Sequence, residues 1–162
     1  MKELLDKLSS YNIFNYLLPG VLFTFLLDTL TSYRLIQDDL VIGVFLYYFL
    51  GLICSRIGSL IIEPFLKKIG FVKFAQYSKF VAACKEDQKI ELLSEVNNMY
   101  RTFCAMFFML IVVKLYDYYS FDFPILVDLV PYVSIAVFIS LFLFSYKKQT
   151  AFIKDRVEIT QK

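Results

Sequence analysis

The chain has 162 residues, 59% of them apolar and 19% aromatic, with a mean hydropathy of +0.62 and a net charge of +2. A soluble domain is about 45–50% apolar, so this composition reads as an all-α, polytopic membrane protein with no room for a large soluble domain. With no histidine in the chain, histidine-ligated haem, most zinc and iron sites and the commonest general base drop out, and no metal or other cofactor is expected.

Residues 1–10 read as a short amphipathic turn or two on the membrane surface. Leu4, Leu5 and Leu8 lie on one side, and Lys2, Glu3, Asp6 and Lys7 on the other. No cleavage-site pattern follows, so no removable signal peptide is expected. Ser9, Ser10 and Asn12 offer caps for the first span, about 14–30. Pro19-Gly20 inside it is expected to kink or divide that helix. A polar link over 31–39 leads to the most apolar run, 40–62, LVIGVFLYYFLGLICSRIGSLII, whose single charge is Arg56. At about 1.5 Å per residue it is roughly 35 Å long, enough to cross a hydrocarbon core of about 30 Å. Gly51, Ser55 and Ser59 recur every four residues, with Gly43 two turns earlier, a small-residue face for close helix packing.

Glu63-Pro64 is expected to end or bend this helix. Residues 63–101 are polar enough to lie in water and read as two amphipathic helical pieces. Phe71, Phe74, Ser78 and Val81 repeat in the first, and the second starts after Asp87. A third span covers about 102–119 and a fourth about 125–146, with Pro131 near its start. A charged tail occupies 147–162. Cys54, Cys84 and Cys104 form no CxxC pair, and no disulfide framework is expected.

Orientation follows from the basic residues. Of 17 lysines and arginines, 14 fall in the N-terminal stretch, the 63–101 segment and the tail. The positive-inside rule puts those three regions in the cytoplasm: four spans, both termini in, with 63–101 a cytoplasmic helical segment between spans 2 and 3.

No catalytic motif is present, and an enzyme is not expected. Arg56 and Glu63, two turns apart, and Lys114 and Asp117, three apart, are charges in or beside spans and are candidates for a pore or gate. Snorkelling to headgroups, or for Arg56 pairing with a neighbouring helix, is the plainer reading of Arg56 and of the Lys114–Asp117 pair; the sharper one has Arg56 face an aqueous vestibule or pair with Glu63 as part of a gate. Lys67, Lys68, Lys73, Lys79 and Arg101, interleaved with Phe65, Phe71, Phe74, Tyr77 and Phe80, suit anionic lipid headgroups. They also suit a nucleotide or single-stranded nucleic acid, or packing against protein. Asp28, Asp117, Asp122 and Asp128 would make acidic rings at an outer mouth if copies assemble about an axis.

The stretches NYLLPG at 15–20, RIGSLIIEP at 56–64 and NNMYR at 97–101 resemble small four-span proteins of bacterial anti-phage defence systems, of the Hailong and Kiwa types. A Hailong-like protein implies a tetrameric, ion-channel-like effector of the inner membrane, gated by a nucleic-acid signal from a partner nucleotidyltransferase. A Kiwa-like protein implies a membrane sensor that docks a cytosolic DNA-binding partner. The expected function is therefore a homo-oligomeric pore that depolarises the membrane; the alternative is a non-conducting anchor that recruits a soluble defence partner.

Overall fold

The computed structural model describes residues 10–160; the amphipathic segment expected over 1–10 lies, but for Ser10, outside them. Every regular element among the described residues is a helix. A single turn, Ser10–Asn12, leads into α1, Ile13–Leu30. α2 covers Leu40–Lys68, α3 Tyr77–Glu86, α4 Lys89–Ser120 and α5 Pro124–Thr160. Four of them, α1, α2, α4 and α5, are long and apolar enough to cross a membrane.

The helix ends follow from local chemistry. Asp39 caps α2 with its carboxylate, which accepts from the N–H groups of Val41 (2.8 Å) and Ile42 (2.9 Å). At the other end Gly70 takes φ +76°, the left-handed region open to glycine. Gly70 N–H donates to Lys67 O and Phe71 N–H to Leu66 O, the paired bonds of a Schellman stop.

Three boundaries differ from expectation. The sequence reading separates a cytoplasmic helix from a span beginning near 102, but α4 runs unbroken for 32 residues because no glycine or proline lies within it. Likewise, no glycine or proline follows Pro131 within α5, and the charged tail continues that helix as far as Thr160. The repeat from Phe71 to Val81 is helical only from Tyr77. Phe71 and Phe74 remain exposed, so no apolar face draws residues 72–76 into the helix.

α1 and α2 pack backbone to backbone. A Cβ on Gly20 would stand 1.7 Å from Tyr47 O, and one on Gly51 would stand 1.7 Å from Tyr16 O. Only hydrogen fits at either place, and each glycine faces the other helix's carbonyl, as in close membrane crossings. Pro19-Gly20, expected as a break, is thus also a contact surface. α4 seals this pair: Met106 and Leu110 pack with Phe23, Leu27 and Cys54, and Ala105 with Ile53 and Ile57. Among the described residues α5 adds only Leu141 to that buried set, and 6% of its most apolar 18-residue window is buried.

Candidate functional site

Two π-helical turns, each followed at once by proline, shape the polar end of the bundle. In α1, residues Ile13–Leu17 form the first; Leu18 N–H donates five residues back to Ile13 O, and Pro19 comes next. In α2, residues Gly58–Ile62 form the second; Glu63 N–H donates to Gly58 O, and Pro64 comes next. A proline ring clashes with the carbonyl four residues back and brings no N–H, so one widened turn lets the helix continue past it. The widening leaves Ser59 O facing Pro64, which cannot donate. That carbonyl instead accepts from Lys148 Nζ of α5 at 2.8 Å, and Ser59 Oγ accepts from the same nitrogen at 2.7 Å.

Glu63 is the centre of the site. It is buried among cations: Lys67 Nζ donates to Oε1 at 2.8 Å, Arg101 donates to Oε2, and Lys148 Nζ lies 3.7 Å away. Arg56, on the other side of the π-turn, reaches across to Tyr16 Oη at 3.4 Å. The pairing of Arg56 with Glu63 weighed on sequence spacing is therefore replaced by longer-range partners for both. One carboxylate meets three cations, Lys67, Arg101 and Lys148, and Arg56 brings a fourth positive charge near Lys148. Glu63 attracts the Lys148 ammonium, while Arg101, Lys67 and Arg56 repel it more weakly one by one. Among the described residues, Asn15 Oδ1, Arg56 Nε and Arg101 Nε are buried without a hydrogen bond. Tyr11 and Tyr48 stand edge-on to Tyr16, with centroids 5.8 and 5.4 Å from it. Burial, then the neighbouring Tyr16, pushes the Tyr11 phenol up to about 12 against the opposing pull of Arg101 and Arg56, so it stays a neutral hydroxyl at physiological pH.

The other singled-out residues fall in different places. Gly51, Ser55, Ser59 and Gly43 are all buried, but only Gly51 meets another helix's backbone; a Cβ on Gly43 would meet the ring of Tyr47 on its own helix. Ser59 belongs to the Glu63 cluster. Lys67 also sits 4.2 Å above the Phe74 ring, while Lys68, Lys73 and Lys79 are exposed away from Glu63. At the opposite end of the bundle, Lys114 lies 3.7 Å from Asp117, which also accepts from Ser32 N–H at 3.3 Å. Asp28 pairs there with Arg34 at 2.7 Å.

Sequence spacing gives no sign of Lys148, Tyr16 or Tyr11 as members of the cluster. The one signal available for Asn15 is its polarity inside an apolar run. Chemically the arrangement clamps α2, α4 and α5 together through one carboxylate and leaves a surplus of positive charge able to hold an anion. Comparison of the chain with known protein families, curated proteins and solved structures finds no match.

Proposed function

We propose that this is a homo-oligomeric, ion-channel-like effector of the bacterial inner membrane, with both termini and the Glu63 end of the bundle in the cytoplasm. The orientation rests on the distribution of lysine and arginine. The observation that carries the assembly is α5. Its window has a mean hydropathy of 2.2, the highest of the four helices, yet almost none of it is buried within one copy. A helix that long, tied to its own bundle mainly through Leu141, the Phe49–Phe142 ring stack and Lys148, is the element free to pack against further copies. The Glu63 cluster would then couple cytoplasmic events to the spans. The resemblance of the short stretches supplies the anti-phage setting and the expectation of a tetramer.

The test is membrane potential, read with a voltage-sensitive dye after induced expression, together with ion flux from liposomes holding the purified protein. Depolarisation altered by Arg56→Ala, from a protein that is oligomeric by native mass spectrometry, supports the reading. A monomer that passes no ions, with or without the products of neighbouring genes, overturns it.

A specific contact favours a second reading, the non-conducting anchor. α3 meets the projecting end of α5 through Tyr77 and Phe152, whose ring centroids are 5.7 Å apart, and this leaves Lys68, Lys73 and Lys79 exposed as a basic platform for a nucleotide, a nucleic acid or a cytosolic protein. Replacing these three by glutamate would release a co-purifying partner; unchanged association counts against it.

A further inference from the structure

A groove of about 1090 Å³ lies between α2, α4 and α5, above the usual range of small-molecule sites, about 300–1,000 Å³. Its walls are apolar side chains such as Ile57, Met109, Val137 and Phe144, and its polar lining is confined to Ser140, Lys147 and Lys148. From Val133 to Lys147 it follows α5 for roughly 21 Å at 1.5 Å per residue. That is longer than one leaflet of a hydrocarbon core of about 30 Å. The two lysines stand where the apolar run of α5 ends, at headgroup level.

We infer that this groove seats an anionic phospholipid, with an acyl chain along α5 and the phosphate on Lys147 and Lys148. The charge balance selects an anion. The short bonds of Glu63 go to Lys67 and Arg101, and Lys148 stands farther off at 3.7 Å, so three of the four cationic charges are uncompensated among the described residues. Lys147, beside it, is exposed. An uncompensated cluster at the edge of hydrocarbon is costly, and a phosphate at the groove's end lowers that cost. The groove's length and dryness select a ligand with a tail. A free phosphate would satisfy the cations but leave the groove empty. The inference stands apart from the pore reading, because it holds whether or not the protein conducts.

Native mass spectrometry of the full chain in a neutral detergent tests it, using phosphatidylglycerol and phosphatidylcholine of matched chains as probes. Phosphatidylglycerol should be retained preferentially. Lys147→Gln should weaken that retention about fivefold, as expected for one basic residue near an anionic lipid, and Lys147→Gln with Lys148→Gln should reduce it to the phosphatidylcholine level. Ala136→Trp, at an exposed groove position, should lower retention of both lipids by filling the groove without touching the charges. Equal retention of the two lipids overturns the inference. So does phosphatidylglycerol binding that Ala136→Trp leaves unchanged, or that inorganic phosphate displaces. Rapid disulfide formation between copies by Ala136→Cys, in a background lacking the other cysteines, would assign the groove to a second copy and overturn it as well.

Discussion

Neutralising Glu63 removes the one anion from a cluster of four cations while keeping its shape. In Glu63→Gln the Lys67 contact contributes little to the loss, since the Lys67 side chain is 44% exposed and such i,i+4 pairs are worth about 0.3–0.5 kcal/mol. Arg101 decides the magnitude: its side chain is 16% exposed against 10% for Glu63, and breaking a buried pair from one side costs about 3–5 kcal/mol. Water reaching the Lys67 side argues for the lower end, about 3 kcal/mol, or a fall in Tm of roughly 6–12 °C for a chain of this size. Cys54 is buried, so a thiol-reactive dye on a Cys84→Ser, Cys104→Ser background reports unfolding directly. Adding Arg101→Met to Glu63→Gln should recover part of the loss, because the stranded guanidinium goes with it. A Glu63→Gln protein that melts within a degree or two of its parent would refute this account of what clamps α2 to α4.

Further outcomes follow from the same geometry. Gly51→Ala and Gly20→Ala must each drive α1 and α2 apart, since the new methyl would sit 1.7 Å from a carbonyl oxygen; each should cost about 3 kcal/mol or prevent assembly, whereas Gly43→Ala should stay within about 1 kcal/mol in the same dye assay. Asp39→Ala should cost about 1 kcal/mol through its lost cap. Tyr11 titrates near 12 in the folded protein against an ordinary 10. Its contribution is therefore complete below pH 10 and lost as the pH rises towards 12, and melting curves of Tyr11→Phe should lack that part of the alkaline decline.

The helices are legible in the sequence because long apolar runs leave few alternatives, and α4 is longer than expected only because its amphipathic and apolar halves join without a breaker. The cluster is less so. Glu63 and Lys67 sit four apart and can be paired by eye. Glu63 with Arg101 and Ser59 with Lys148 span 38 and 89 residues, and no periodicity encodes such distances. Arg56 and Glu63 invite pairing by their spacing, yet the π-turn between them turns Arg56 towards Tyr16. Gly51 is readable as a packing glycine from its stripe, whereas its counterpart Gly20 is masked by Pro19, which invites a different explanation for the same dipeptide.

Each π-turn is one residue of slack wound into a helix, and slack has a mechanical meaning. Were the turn at Gly58–Ile62 to tighten into ordinary α-helix, everything beyond it would swing by about 100°, one residue's rotation at 3.6 per turn. Glu63 would swing away from Arg101 and Lys148, unlatching three helices in one movement. Pro64 opposes this, since tightening drives its ring into the Leu60 carbonyl. A proline usually thought of as weakening a helix thus acts here as a pawl, holding the acid in register with its cations; Pro64→Ala should free the register and show itself as faster hydrogen exchange at the Glu63 end of α2 and the stretch of α5 around Lys148.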